Sequence, residues 1–128
     1  MDATWTAEQL ERLDAADELE IAVKRADATL RRWTPIWVVC AAGQVYVRTW
    51  HRRDTGWFGD AVSSGRARIR VPGVDADVLV HDVGAAAAGV DDAYRGKYAR
   101  YGPASLDPMV SPGAVATTLR LDPDMSPS

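Results

Sequence analysis

Residues 66–80 leave little choice but two strands. Arg66, Arg68 and Arg70 alternate with Ala67, Ile69 and Val71, and Val74, Ala76, Val78 and Val80 recur at the same spacing after Pro72-Gly73. A side-chain period of two is the mark of a strand with one buried face, and Pro-Gly between two such runs is a turn signal. The same period is present upstream, where Leu19, Ile21 and Val23 alternate with Glu20, Ala22 and Lys24 and predict a strand over Glu18–Arg25. Ile36–Ala41 and Gln44–Trp50 form a hairpin around Ala42-Gly43, and Glu18–Arg25 is expected to pair with Ile36–Ala41. A last short strand spans Ala116–Leu121.

Helices fill the remaining stretches. Thr6 followed by Gln9 is a capping-box spacing and starts a helix that runs to about Ala16. A short helix follows from about Thr55 to Ser63, capped by Asp54 or Thr55. A longer one runs from about Ala87 to Tyr101 and ends at Gly102-Pro103. The proline- and glycine-bearing segment Ala104–Gly113 reads as a loop, and residues 122–128 read as a frayed tail. The order is helix, three strands, short helix, two strands, helix, strand. This is an α+β chain, and short turns between six strands favour an antiparallel sheet that closes into a barrel.

Composition narrows the function classes. The 128 residues suit one domain, 1–128, that folds without staples. A net charge of −3 gives no reason to expect nucleic acid, and no apolar run approaches the ~20 residues of a membrane span. The start Met-Asp-Ala-Thr-Trp lacks the basic and apolar regions of a signal peptide, so a cytoplasmic location is expected. The single Cys40 lies in an apolar run with no His or Lys beside it, the setting of a structural thiol.

Several motifs, in order and spacing, resemble the FMN-binding split-barrel superfamily. They are Thr-Pro-Ile-Trp-Val-Val at 34–39, Val-Tyr-Val-Arg-Thr at 45–49, Trp57-Phe58, Asp-Ala-Tyr-Arg-Gly-Lys-Tyr at 92–98 and Thr-Thr-Leu-Arg-Leu at 117–121. The resemblance covers nearly the whole chain and is closest to small bacterial proteins of unknown function related to deazaflavin-dependent nitroreductases. It implies a six-stranded antiparallel split β-barrel, paired as a homodimer, with FMN or a deazaflavin lying against the sheet. Carried over by position, it places the cofactor's phosphate near Arg48, Thr49, Arg52, Arg53 and Trp57, with Thr34 and Arg66 nearby. One departure stands out: the small, glycine-rich stretch usual before the aromatic pair is here the bulkier Trp50-His51-Arg52-Arg53.

Read as residues alone, the candidates keep two readings each. Arg48 shares a strand face with Tyr46 and Trp50, so it is either solvated or turned into a cleft, and Arg52 and Arg53 add to a possible anion site. Of the five tryptophans, Trp37 is expected in the core, while Trp50 and Trp57 either cover a flat ring or serve a dimer interface or simple packing. Tyr94, Tyr98 and Tyr101 fall on one helix side, a packing stripe from which Tyr98 could still present an acid to a ligand. His51 is the better placed of the two histidines for acid–base work, and neither has the neighbours of a metal site. Two functions follow: an oxidoreductase-like protein that binds FMN or a deazaflavin and acts on a small molecule, or a cofactor-free split barrel. The second would be a small-molecule binder or an enzyme using Tyr98, His51 and Arg48.

Overall fold

Helix α1 (Ala7–Ala15) begins where the capping box predicts, with the Thr6 hydroxyl accepting from Gln9 N and the Gln9 side chain accepting from Thr6 N. The computed structural model describes residues 4–49, 56–84 and 89–124. Strand β1 (Glu18–Val23) follows and pairs antiparallel with β2 (Thr34–Trp37), Leu19 opposite Ile36, as the alternation of Leu19, Ile21 and Val23 requires. Strands β5 (Arg66–Val71) and β6 (Val74–Asp82) form the hairpin around Pro72-Gly73. Ala67 and Ile69 are fully buried there, while Arg68 and Arg70 pair with Asp75, Asp77 and Glu20 on the outer face. The helix over Gly56–Ser64, α2, sends Phe58 and Ala61 into the core.

With β3 (Val39–Ala41), β4 (Gln44–Val47) and β7 (Leu119–Pro123), the sheet has seven strands among the described residues, one more than expected, in the order β2-β1-β5-β6-β7-β4-β3. The extra strand arises because Ile36–Ala41 is not continuous: β2 stops at Trp37 and β3 resumes over Val39–Ala41. The two borders of the sheet are therefore consecutive in the chain, joined at Val38. This residue is fully buried, yet its backbone has no ladder partner; Val38 N–H donates to the Tyr98 hydroxyl (2.9 Å) and Val38 O accepts from Lys97 Nζ (2.7 Å). Side chains from 60 residues away thus satisfy groups that an unbroken strand would have paired. Val38 belongs to the barrel core and Val39 to a second apolar cluster with Tyr46, Val90, Tyr94, Tyr98 and Met109.

Strand β4 (Gln44–Val47) pairs with β3 across a turn in which Ala42 and Gly43 both have positive φ, 52° and 78°. That is the twist a two-residue hairpin demands, and glycine supplies it freely. Helix α3 (Val90–Tyr98) and a 3-10 turn (Ala99–Tyr101) replace the single helix expected over 87–101, and Ala87 lies outside the described residues. The expected loop at Ala104–Gly113 is helical instead: α4 spans Pro103–Val110 and α5 spans Pro112–Val115. Pro103 and Pro112 occupy first-turn positions, where a missing N–H costs nothing, so they start helices. Strand β7 is Leu119–Pro123, which takes Asp122 and Pro123 out of the expected tail; Asp124 N also bonds to Asp77 O (2.8 Å). No helix among the described residues is long and apolar enough to cross a membrane.

One charge cluster anchors the outer sheet. Lys24 is buried and its Nζ lies 2.9 Å from Asp77 Oδ1, which also accepts from Arg68 Nη1 at 3.0 Å. Burial works to raise the Asp77 carboxyl, but the bonds from Lys24 and Arg68 outweigh it and hold it below its ordinary 3.8. A carboxyl depressed by folding stabilises above its unfolded value, about 4, and loses that contribution as pH falls through the folded one. Asp77→Asn should therefore flatten the acid limb of a melting-temperature profile below about pH 4, while lowering stability at neutral pH. Parallel acid limbs for the two proteins would show that other groups set the acid response.

Candidate functional site

The face of β4 opposite the barrel core carries Tyr46 and, one residue past the strand, Arg48. Helices α3 and α4 cover that face, so of the two readings left by the strand pattern, solvated or turned into a cleft, the solvated one does not hold: Arg48 is 3% exposed. Its Nε donates to Thr118 Oγ1 (2.8 Å) and its Nη1 to Met109 O (3.0 Å). Asp91 Oδ1, from the first turn of α3, approaches Nη1 to 2.6 Å without hydrogen-bond alignment, a contact of charge. The guanidinium carbon also sits 5.1 Å from the Tyr94 ring centroid. Arg48 thereby ties the end of β4 to Thr118, just before β7, and to α3 and α4, and its compensating carboxylate is Asp91.

Arg48 also borders a cavity of about 470 Å³ at the seam where β2 meets the end of β4. Thr34, Trp37, Thr49 and Trp57 line it with Arg48, and α4 contributes Pro108 and Met109. This volume is within the range of small-molecule sites, about 300–1,000 Å³. Trp37 is half-buried here rather than enclosed in the core; one indole face is stacked on Tyr98, with centroids 3.9 Å apart and planes 2° from parallel. Trp57 meets Phe58 edge-on, which fixes the indole through the buried Phe58 ring. Glu18 is a further lining residue, and its carboxylate has no ion-pair partner among the described residues. Nothing in a lone glutamate at a strand start marks it, although its register opposite Trp37 in the β1–β2 pair does.

Thr34, Arg48, Thr49 and Trp57 are therefore brought together as the motifs suggest. Arg66 is not: it lies on β5 opposite Leu79, with its Nε 3.8 Å from Asp124. His51, Arg52 and Arg53, with Trp50, lie outside the described residues. Tyr98 stands behind Trp37, away from the cavity lining, and its hydroxyl is committed to backbone. It accepts from Val38 N, and its one proton lies between Asp17 O (2.7 Å) and Val38 O (2.9 Å). Burial pushes its ionisation well above the ordinary tyrosine range, so the expected proton donor is a structural group. Cys40 is half-buried beneath α1, and burial, with the Asp14 charge, pushes its thiol up to about 11, as a structural thiol requires. His81 Nε2 contacts Asp122 Oδ2 at 3.2 Å on the β6–β7 face.

Most of the large aromatic side chains among the described residues are spent within the chain. Trp5, Phe58, Tyr94 and Tyr98 are buried, and the large apolar residues exposed among those described are Val62 and Tyr101.

Solved structures share this fold at low identity. A conserved hypothetical protein from Mycobacterium tuberculosis superposes with a TM-score of 0.56 at 11% identity, over 94% of this chain and 80% of that one. An F420 reductase superposes with a TM-score of 0.51 at 14% identity, over 89% of this chain and 91% of that one. No curated protein sequence matches. The α+β architecture with a nearly closed, antiparallel, barrel-like sheet is thus shared with these structures, with seven strands among the described residues in place of the six that the resemblance implies. Residues 9–121 match the family model described as uncharacterized proteins conserved in bacteria, DUF2255, and the chain belongs to that family.

Proposed function

We propose that this protein binds a flat flavin or deazaflavin ring in the seam cavity and serves as an oxidoreductase-like protein toward a small molecule. The observation that carries the reading is a cavity with two indoles in its wall, both held by other rings, and a buried arginine at its base. Large aromatics offer contact area to a flat ring with little entropy lost. Thr34 and Thr49 supply hydroxyl groups along the same wall, and Arg48 keeps its Nη2 without a partner among the described residues. These residues fit a heteroaromatic ring with polar edges. When bound, such a cofactor supplies hydride chemistry, and the protein contributes position, charge and exclusion of water. A fold-level analogy to the F420 reductase points the same way.

Titration with FMN and with a deazaflavin, read by tryptophan fluorescence and by ring absorbance, tests this. Saturable quenching by one of them is expected, and Trp57→Ala should weaken it about tenfold, the upper range for an aromatic pair. No saturation by either ring at millimolar concentration would overturn the reading. A cofactor-free small-molecule binder is the second reading, favoured by one observation: Asp91 already neutralises Arg48.

A further inference from the structure

The seam cavity is poorly charged for an anion. Its guanidinium is compensated by Asp91, and Glu18 adds a carboxylate with no ion-pair partner among the described residues. A phosphate placed there would displace an existing ion pair or face a like charge, and either is costly. A second cavity, of about 360 Å³, has the opposite balance. It shares Thr34 and Trp57 with the first, so the two spaces abut, and its other lining includes Val23, Arg31, Arg32 and Asp60. Arg31 Nε is 3.8 Å from Asp60 Oδ2, and both side chains are more than two-fifths exposed, a contact that leaves the guanidinium largely available. Arg32 has no carboxylate partner among the described residues. Two adjacent guanidiniums against one carboxylate leave a positive surplus in this space, and a guanidinium fork suits phosphate oxygens.

We infer that Arg31 and Arg32 form the anion subsite for the phosphate-bearing tail of the ligand whose ring occupies the seam cavity, with Trp57 and Thr34 as the shared wall. The assignment rests on the ring-binding reading above and moves the anion contact away from Arg48. It also explains why a buried, already paired arginine can sit at the base of a site for an anionic cofactor: its task is to hold the wall, while the charge is met next door.

Ring pairs that differ only in phosphate separate the two ideas. Wild type, Arg32→Gln and the double variant Arg31→Gln/Arg32→Gln are titrated with FMN and riboflavin, and with a phosphorylated deazaflavin and its dephosphorylated form. The phosphorylated ring should bind wild type about tenfold more tightly than its phosphate-free partner. Arg32→Gln should remove most of that preference, and the double variant all of it, with riboflavin affinity unchanged. Added salt should weaken the phosphorylated ring only. Both arginines are exposed, so melting temperatures should stay close to wild type. Rings that bind with an undiminished phosphate preference in the double variant would overturn the subsite and leave the ring reading standing. Failure of all four rings to bind wild type would remove the ring reading and this subsite with it.

Discussion

Replacing Arg48 by alanine should destabilise the folded protein by about 3 kcal/mol, the low end for breaking a buried ion pair. The low end applies because Asp91 keeps 40% of its side chain exposed and can be rehydrated. What cannot be rehydrated is the carbonyl of Met109 and the hydroxyl of Thr118, both of which lose a charged donor. For a domain of this size the loss corresponds to roughly 9–15 °C in melting temperature. Arg48→Lys should recover less than half, because one ammonium cannot reach Thr118, α3 and α4 together from a single point. Asp91→Asn should cost about 2 kcal/mol, less than Arg48→Ala because Asp91 is part-solvated, but more than a surface pair because the buried guanidinium is left uncompensated. A melting temperature unchanged in Arg48→Ala, alongside lost ligand affinity, would show that Arg48 acts as an anion contact and not as a structural ion-pair partner.

Tyr98→Phe should cost about 2 kcal/mol, or roughly 6–10 °C, although only one oxygen is removed. The phenylalanine would still stack on Trp37, so apolar packing is preserved. Val38 N–H would be left without its acceptor inside the protein, and one of Asp17 O and Val38 O would lose its donor. Tyr94→Phe is the internal control. Its ring is equally buried, but its hydroxyl has no hydrogen-bond partner among the described residues, and burial drives its ionisation far upward. Removing that oxygen should be neutral or stabilising. The two variants differ by one turn of the same helix, so thermal melts of both decide whether the Val38 bonds are the cause. Equal losses would place the effect in ring packing alone.

The contrast between these tyrosines also shows what could be read in the sequence. Helical spacing identifies Tyr94 and Tyr98 as one buried stripe, but it cannot say which hydroxyl has a partner, because Val38 and Asp17 are far away in the chain. Arg66–Val71 was legible to the residue, since a half-buried strand writes its burial into its alternation. Ile36–Ala41 hid its break, because Ile-Trp-Val-Val-Cys is apolar throughout and carries no mark where the ladder ends. The helices over Pro103–Val115 were hidden for the opposite reason: prolines that begin helices look like prolines that break them. Thr34, Thr49 and Trp57 line one cavity, though nothing in their separate spacings shows that the chain would bring them together. The burial of Arg48 could not be foreseen, because its partners come from α3 and α4, the second of which has the proline-rich composition of a loop. Arg31 and Arg32 show no pattern at all; only the fold sets them beside Trp57.

The break at Val38 has a bearing on how these molecules behave in a crowd. An open sheet offers two bordering strands, and long flat borders invite a strand from a neighbouring molecule to add on. Here the borders are four and three residues long, and the chain passes directly from one to the other. Tyr98 and Lys97 already hold the backbone at the join, so an incoming strand would have to displace them before it could extend the ladder. The join between the two borders is thus closed to an added strand by two side chains of α3, Lys97 and Tyr98, which stand apart from the residues lining the neighbouring cavity.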